Sequence, residues 1–292
     1  MGDKIAIIDL GTNTFHLLLA HRSQGQYKTI HQEKVPVKIG LGGINNNIIT
    51  EAAISRSIEA MRNFKLILSV HKIDKVYAFG TSALRNAING KEVVALIETE
   101  TGISIDIISG DEEANYIYQG VRTAVNMTEP SLIVDIGGGS VEFIIGNNDT
   151  IFWKQSFEIG AQRLLELFQK HDPILVSEIE DIRSFLKFSL PSLAAAIEKY
   201  KPKVLVGSSG TFDTLSEIHC IRNGQEYLPT ASETPLSLKS FHEIKSELIA
   251  KNRVERLQIR GMIEMRVDMI VVACCLIDYL LDSYKDFQSL RI

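Results

Sequence analysis

One short pattern occurs twice in this sequence, near its start and near its middle. Residues 7–14 read IIDLGTNT, and residues 133–140 read IVDIGGGS. In both copies an apolar run leads to an Asp, and a Gly and a hydroxyl side chain follow at the same spacing. A short continuous apolar run is typical of a strand buried on both faces, and a Gly-containing turn after it predicts a hairpin. The repetition therefore predicts two similar halves, each of which starts with a strand–turn–strand unit.

Strands and helices alternate along the rest of the chain, which is typical of an α/β fold. The spacing of apolar residues predicts a long helix over 177–200 and a last helix over 265–281. No linker rich in Pro or Ser interrupts the chain, so we expect the halves to pack closely around a central cleft. We expect an N-terminal domain over 1–126 and a C-terminal domain over 127–292, with a last helix that could pack back toward the first domain.

Composition and charge exclude several classes of protein. The net charge is -5, so we expect no uniformly basic surface and no nucleic-acid partner. The longest apolar stretch, residues 269–281, contains Asp278 and is shorter than the roughly 20 residues that cross a membrane. The N-terminal residues lack the apolar segment of a secretory signal. We therefore expect a cytoplasmic protein without a membrane partner, in which Cys220, Cys274 and Cys275 are buried, reduced thiols.

The chemistry of the two repeated loops suits phosphate. Glycine lets the backbone adopt positive φ and approach a bound group, and successive N–H groups in such a turn form an anion-binding concavity. A plain β-hairpin is the structural alternative, but it explains three consecutive glycines poorly because they cost backbone order. The candidate phosphate-binding residues of these loops are Gly11, Thr12, Asn13, Thr14, Gly137, Gly138, Gly139 and Ser140.

Two further features support phosphate binding. Asp9 and Asp135 close the strands before the two loops, where each could hold Mg²⁺ directly or through water. A third Gly-rich loop links a buried strand to a helix, so helix N–H groups and the positive end of the helix dipole would face an anion. An ordinary connection with Ser or Thr caps is its structural alternative. The residues of this loop are Gly207, Ser208, Ser209, Gly210 and Thr211.

The chain resembles the Ppx/GppA family of exopolyphosphatases and guanosine pentaphosphate phosphohydrolases. The matching stretches follow the order of the family and span most of the chain. The resemblance implies a duplicated actin/hexokinase/Hsp70-like (ribonuclease H-like) fold with two similar domains around a central cleft, in agreement with the repeat. The stretches that carry the resemblance are residues 8–16, 81–87, 108–114, 134–142 and 207–211.

The resemblance also implies roles for individual residues. Glu113 is the implied general base, Arg85 would hold phosphate oxygens, and Glu142 would bind the metal or orient water. Taken alone, each has an ordinary structural explanation: a solvated glutamate in the first turn of a helix, a surface ion pair, and an outward strand carboxylate. The chain departs from the family at Met265-Arg266, where many relatives have Glu-Arg. It resembles the short, two-domain members, so we expect it to differ from the long relatives that continue into C-terminal helical domains.

Together these features predict a hydrolase that depends on Mg²⁺ or another divalent metal, held by Asp9, Asp135 and Glu142. It would cleave the terminal phosphoanhydride of inorganic polyphosphate, of guanosine pentaphosphate or of both, and release orthophosphate. An ATP-dependent kinase of the same broad fold and a non-hydrolytic sensor of polyphosphate or of a guanosine alarmone are the alternatives. The sequence does not choose between the two substrates, and its apolar last helix could support a homodimer.

Overall fold

A computed structural model of the protein describes residues 4–23, 25–73 and 75–292. Contacts between residues group the chain into two compact units, Met1–Ser109 and Gly110–Ile292. This division precedes the boundary that we expected after residue 126, because the helix that follows Ser109 packs on the strands of the second unit. Every helix in these described residues is too short or too polar to cross a lipid bilayer.

The first unit is built on a five-stranded sheet with the strand order β3-β2-β1-β4-β5. Strands β1 to β3 are antiparallel, whereas β4 and β5 run parallel to β1. Its strands are β1 Lys4–Leu10, β2 Phe15–Ser23, β3 Gln26–Val35, β4 Lys75–Gly80 and β5 Asp106–Ile107. Its helices are α1 Glu51–His71, α2 Ser82–Asn86 and α3 Gly90–Thr101, with a 3-10 turn at Ile44–Asn46.

Helix α1 shows how the local sequence sets an element of this unit. Thr50 caps it, since the Thr50 hydroxyl accepts a hydrogen bond from the N–H of Ala53 at 3.3 Å. The apolar residues at helical spacing, among them Met61 and Phe64, are buried against the sheet. The helix thereby covers the same face of the sheet as α3.

The second unit is built on a sheet with the order β10-β9-β6-β7-β8. Its strands are β6 Ser131–Ile136, β7 Val141–Gly146, β8 Ile151–Phe157, β9 Val204–Ser208 and β10 Ser289–Arg291. Helix α4, Gly110–Ala124, covers one face of this sheet, and the remaining helices build the larger core on the other face. These are α5 Ala161–Phe168, α6 Val176–Ser189, α7 Pro191–Tyr200, α8 Gly210–Arg222, α9 Leu238–Ala250, α10 Arg253–Leu257 and α11 Ile270–Ser283.

The two sheets have the same topology. In each sheet, the first three strands along the chain are antiparallel to their neighbours. The two later strands lie beyond the first strand and run parallel to it. The same order in both units confirms the predicted duplication and the α/β fold class. The repeated loops occupy equivalent places, between β1 and β2 in the first unit and between β6 and β7 in the second.

Three details of the secondary structure differ from the expectations. The helix expected over 177–200 is two helices, α6 and α7, because Pro191 has no N–H to continue α6 and is instead the first residue of α7. The last helix begins at Ile270, so Arg266 lies in the turn before it rather than inside it. Strand β10 was not predicted. Helix α11 packs against α5, α6 and α9, and the cysteines at 220, 274 and 275 are buried and free.

Candidate active site

Loop 1, residues 9–14, is held from one side by the segment that follows β3. The carbonyl oxygens of Thr12 and Asn13 accept hydrogen bonds from the N–H groups of Gly40 and Lys38, at 3.1 and 2.8 Å. In a trans peptide the C=O of one residue and the N–H of the next point in opposite directions. The two N–H groups that follow these carbonyls therefore face away from that segment, side by side.

Loop 2, residues 135–140, is held in the same way by the start of α5. Because the three glycine carbonyls point toward α5, the three N–H groups that follow them point to the opposite side. Adjacent N–H groups on one side of a turn form a concavity that suits an anion. The carbonyl oxygens accept hydrogen bonds at 2.9 to 3.1 Å, Gly137 from Ala161, Gly138 from Gln162 and Gly139 from Gly160.

The two loops share one backbone geometry. A Cβ added at Gly11 would lie 2.9 Å from the carbonyl oxygen of Thr14, and a Cβ added at Gly137 would lie 2.9 Å from that of Ser140. Both obstacles are backbone atoms, which cannot rotate away as a flexible side chain would. The glycine of each repeated pattern is therefore required by a close approach across its own turn.

Two residues that the sequence pattern did not single out position loop 2. A Cβ at Gly160 would lie 2.4 Å from the carbonyl carbon and oxygen of Gly138, so only glycine lets α5 reach the loop. Arg163 is buried, its Nε donates to the carbonyl oxygen of Gly139 at 2.9 Å, and its guanidinium pairs with Glu158 at 3.2 Å. A glycine before a helix and an arginine within it are common, so the sequence carried no specific signal for either.

Loop 3, residues 207–211, joins β9 to α8 in a strained conformation. Ser209 has φ 72° and ψ 174°, a region that glycine alone adopts freely and that costs another residue about 1–3 kcal/mol. The Ser209 hydroxyl donates to the carbonyl oxygen of Ile136 at 3.2 Å, which ties loop 3 to the end of β6. A Cβ at Gly207 would overlap the ring of Phe212 at 2.2 Å. These contacts hold loop 3 against the start of loop 2, with the first N–H groups of α8 at its end.

Four polar residues form a row across the second sheet, next to loops 2 and 3. Asp135 on β6 lies opposite Glu142 on β7, while Ser208 on β9 and Ser156 on β8 extend the row on either side. Residues directly opposite one another point to the same face of a sheet. It is the face that α4 covers, since Ile133, two residues before Asp135, packs there.

Glu142 is the fully buried acid of this row, with an exposed fraction of 1%. The Ser156 hydroxyl donates to Glu142 Oε1 at 2.6 Å. Burial raises the pKa of Glu142 well above its ordinary value, the negative charges of Glu113 and Asp135 raise it further, and hydrogen bonds from Ser156 and Ser140 oppose the change. The carboxylates of Glu113 and Asp135 therefore disfavour a negative charge on Glu142.

Glu113 lies in the first turn of α4 and is half-buried, whereas its neighbour Glu112 is exposed. Lys154 of β8 holds this turn against the sheet: its Nζ lies 2.7 Å from the carbonyl oxygen and 2.9 Å from Oδ2 of Asp111. Since the charge of Glu113 raises the pKa of Glu142, the Glu113 carboxylate lies close to the polar row.

Asp135 has a positively charged neighbour. Burial raises the pKa of Asp135, while the nearby hydroxyls of Ser208 and Ser209 and the charge of Arg266 lower it. The balance leaves the pKa of Asp135 above its ordinary value. Arg266 is therefore part of the site, although the sequence did not indicate that it would lie near Asp135.

The guanidinium of Arg266 lies directly against loop 3. A Cβ added at Gly210 would lie 2.2 Å from Nη2 of Arg266. Burial lowers the pKa of Arg266, and the charges of Asp213 and Asp135 oppose this. Among the described residues, none accepts a hydrogen bond from its buried Nε. A buried donor left unsatisfied costs about 1–3 kcal/mol, so an anionic acceptor beside loop 3 would remove a real penalty.

In the first unit, Asp9, loop 1 and Arg85 lie at one edge of the sheet. Strand β4 runs parallel to β1, so Gly80 lies beside Leu10, and α2, which carries Arg85, begins directly after β4. Arg85 is half-buried and its Nη1 donates to the carbonyl oxygen of Ile108 at 3.1 Å. Asp9 is half-buried at the end of β1. The second unit brings together Glu113, Asp135, Glu142 and loops 2 and 3.

The predicted metal ligands suit a divalent cation because they are carboxylates, and not because they form a complete coordination shell. Within the residues that the structure describes, no three His, Cys, Asp or Glu side chains are grouped closely enough to form a metal site. Mg²⁺ usually keeps several waters and takes one or two carboxylates together with substrate phosphates. Asp135 and Glu142 are such a pair, since both have raised pKa values and a nearby cation would favour their charged forms.

Comparison with known proteins places this arrangement in one family. The family profile of the Ppx/GppA phosphatases matches residues 18–286. A crystal structure of an exopolyphosphatase from Cytophaga hutchinsonii is 41% identical, with 99% of this chain and 93% of that chain covered and a TM-score of 0.95.

Two more distant structures have the same fold. An exopolyphosphatase-like protein is 23% identical, with 97% of this chain and 88% of that chain covered and a TM-score of 0.87. The Aquifex aeolicus member of the Ppx/GppA family is also 23% identical, with 97% and 91% covered and a TM-score of 0.76.

Proposed function

Since this chain belongs to the Ppx/GppA phosphatase family, we propose that it hydrolyses the terminal phosphoanhydride of inorganic polyphosphate, of guanosine pentaphosphate or of both. Membership makes the chain a phosphoanhydride hydrolase, and the proposal adds the substrates. The exopolyphosphatase that is 41% identical supports polyphosphate as one of them. The observation that carries the proposal is that neighbouring carbonyls of loop 1 and of loop 2 are held from one side. The N–H groups that follow them therefore face the opposite side together, which suits an anion.

Phosphate binding is assigned to the three loops. Loops 1 and 2 offer adjacent backbone N–H groups, and loop 3 offers the start of α8 and the Arg266 guanidinium. Such preorganised donors stabilise charge on phosphoryl oxygens without reorganising during the reaction. Arg85 is proposed to bind phosphoryl oxygens as well, because a guanidinium matches their geometry.

Glu113 is proposed as the general base. Its carboxylate takes a proton from the attacking water as the water oxygen bonds to the terminal phosphorus. The bridging P–O bond breaks, and its electron pair stays on the shortened chain, which leaves with one phosphate fewer. The half-buried place of Glu113, from which its charge acts on Glu142, supports this role, because a general base must lie within reach of the reacting groups.

A divalent cation such as Mg²⁺, when bound, would neutralise phosphate charge and polarise a phosphoryl oxygen. Asp135 and Glu142 are its proposed ligands in the second unit, and Asp9 is the proposed ligand in the first. The raised pKa values of Asp135 and Glu142 support the pair, since a nearby cation would favour the charged form of both carboxylates.

The proposal is tested by orthophosphate release with Mg²⁺ from polyphosphate of defined chain length and from guanosine pentaphosphate. We expect Glu113→Gln to lower kcat by about 100-fold or more on every substrate that the wild type hydrolyses. Glu112→Gln is the matched control, because Glu112 is the exposed neighbour, and its kcat should stay within about twofold of wild type.

Two outcomes would contradict the proposal. Equal rates for the wild type and Glu113→Gln would exclude Glu113 as the base. Tight binding of either substrate by the wild type without any phosphate release would instead favour a sensor.

A further inference from the structure

The segment between α10 and α11, residues 258–269, brings Arg266 to loop 3 and is built of turns. The backbone N–H of Arg266 donates to the carbonyl oxygen of Ile263 at 3.0 Å within one of these turns. Its guanidinium lies against Gly210, yet its buried Nε has no acceptor among the residues that the structure describes. The place of this guanidinium therefore depends on how the backbone of the segment is held.

Arg256 of α10 holds the segment directly beside Arg266. The Nε of Arg256 donates to the carbonyl oxygen of Val267 at 3.1 Å. Val267 is completely buried, so its carbonyl oxygen needs a donor from the protein in place of water. Arg256 thereby fixes the backbone one residue after Arg266.

Arg256 is in turn anchored at its other end. Its exposed fraction is 1%, and an arginine is rarely buried so completely unless it is paired. Its Nη1 lies 2.7 Å from Oδ1 of Asp172 and donates to the carbonyl oxygen of Lys251 at 2.5 Å. The second carboxylate oxygen of Asp172 accepts the N–H of Arg253 at 2.6 Å, at the start of α10. The guanidinium therefore links a fixed helix end to the carbonyl of Val267.

Arg253 holds the same segment from its exposed side. Its Nε lies 2.9 Å from Oδ1 of Asp268, and its Nη2 lies 3.2 Å from Oε1 of Glu264. The two carboxylates stand two residues before and two residues after Arg266. Exposed ion pairs of this kind add little to the stability of a fold. Their place on both sides of Arg266 instead suits a role in restricting the turn that carries it.

We propose that Arg256 is a positioning residue for Arg266: by holding the backbone at Val267, it keeps the Arg266 guanidinium against loop 3. The inference rests on the proposed function, in which Arg266 binds a phosphoryl group. A residue that only stabilised the fold would lower the unfolding temperature as well. Its effect on phosphate, however, would not depend on the presence of Arg266.

A double-mutant cycle between Arg256→Met and Arg266→Met tests this dependence. Orthophosphate release from polyphosphate of defined chain length gives kcat/KM, and thermal unfolding gives the stability. We expect Arg256→Met to lower kcat/KM by about tenfold when Arg266 is present and by less than about twofold in the Arg266→Met background, because residues that act through one contact are not additive. The fall in unfolding temperature should be similar in both backgrounds.

Two variants control for charge and for stability. Arg256→Lys keeps the charge but lacks the planar fork that joins Asp172 to Val267, so kcat/KM should still fall by about fivefold. Arg183→Met removes a guanidinium that links α6 to α11 through Asp278 at 3.2 Å. It should lower the unfolding temperature and leave kcat/KM within about twofold of wild type.

Arg253→Gln repeats the cycle in case Arg256→Met does not fold, because the Arg253 side chain is 41% exposed and its loss opens no core. We expect about a threefold loss in kcat/KM that disappears in the Arg266→Met background. Calorimetric titration of all these proteins with tripolyphosphate measures binding without turnover. The affinities should follow the same pattern as kcat/KM.

The outcomes separate this inference from the proposed function. Unchanged kcat/KM in Arg256→Met, or equal losses with and without Arg266, would overturn the positioning role and leave the hydrolase standing. A wild type that binds tripolyphosphate with the expected dependence but releases no phosphate would overturn the proposed function and leave the positioning role standing. A wild type that neither binds tripolyphosphate nor releases phosphate would overturn both.

Discussion

Glu142 and Asp135 lie directly opposite each other on β7 and β6, on the face of the second sheet that α4 covers. Burial raises the pKa of both, and the charge of Asp135 raises that of Glu142 further. Two acids are thereby held together at an energetic cost that a bound cation or a proton relieves. This pairing makes the stability and the activity of the second unit dependent on pH.

Glu142→Gln should remove part of this pH dependence. Because the pKa of Glu142 is raised in the folded state, the protonated acid stabilises the fold below about pH 4.5, and this contribution is lost as the pH rises through the folded pKa. Between the pKa of Glu142 in the unfolded chain and its pKa in the folded protein, the wild type should lose stability as the pH rises, whereas Glu142→Gln should not. The free energy of unfolding of the variant should therefore increase relative to that of the wild type by about 1.4 kcal/mol for each pH unit in this range. Urea unfolding with a chelator between about pH 4 and 8 measures it. A difference that stays flat with pH would contradict the raised pKa.

Arg266→Met should move the acid limb of the activity profile. The charge of Arg266 lowers the pKa of Asp135, so its loss raises that pKa and moves the acid limb of kcat/KM to higher pH. We also expect kcat/KM at the optimum to fall about 10- to 100-fold, because Arg266 is assigned to phosphate. Arg266→Lys keeps the charge, so its acid limb should stay near that of wild type. An unchanged limb in Arg266→Met would remove Arg266 from the site.

Gly160→Ala should disrupt loop 2 from outside it. The new Cβ would lie 2.4 Å from the Gly138 carbonyl group, so α5 or loop 2 must move, at a cost of about 1–3 kcal/mol. We expect lower stability and a higher KM for the phosphate substrate. Gly120→Ala is the stability control, since its Cβ meets no atom within 4 Å in the middle of α4, and it should gain about 0.5–1 kcal/mol. Equal urea midpoints for the two variants would show that α5 does not need glycine at this position.

Ser209 offers a test of backbone strain in loop 3. Both Ser209→Gly and Ser209→Ala lose the hydrogen bond to Ile136, but only glycine adopts φ 72° without strain. Ser209→Gly should therefore be more stable than Ser209→Ala by about 1 kcal/mol, after the entropy cost of glycine. Thermal unfolding of the pair measures this difference. If Ser209→Ala were the more stable of the two, the strain would not exist.

The sequence by itself determined the duplicated α/β fold, because each half repeats the same buried strand, Gly-containing turn and return strand within about a dozen residues. Such local patterns follow from side-chain periodicity and turn chemistry, which need no distant partner. Thr50 capping α1 and loop 3 starting α8 are of this kind. Pro191 in the sequence also indicates that α6 and α7 are separate helices. We predicted one helix because the apolar spacing continues across Pro191.

Only the tertiary structure decided which way the loops face and what surrounds them. The N–H groups within loop 1 and within loop 2 point together because residues 38–40 and 160–162 hold the loop carbonyls. Arg266 reaches Gly210, and Glu113 comes close to Glu142, across separations that no local pattern encodes. Register and long-range packing set these contacts, and both depend on the whole core rather than on neighbouring residues.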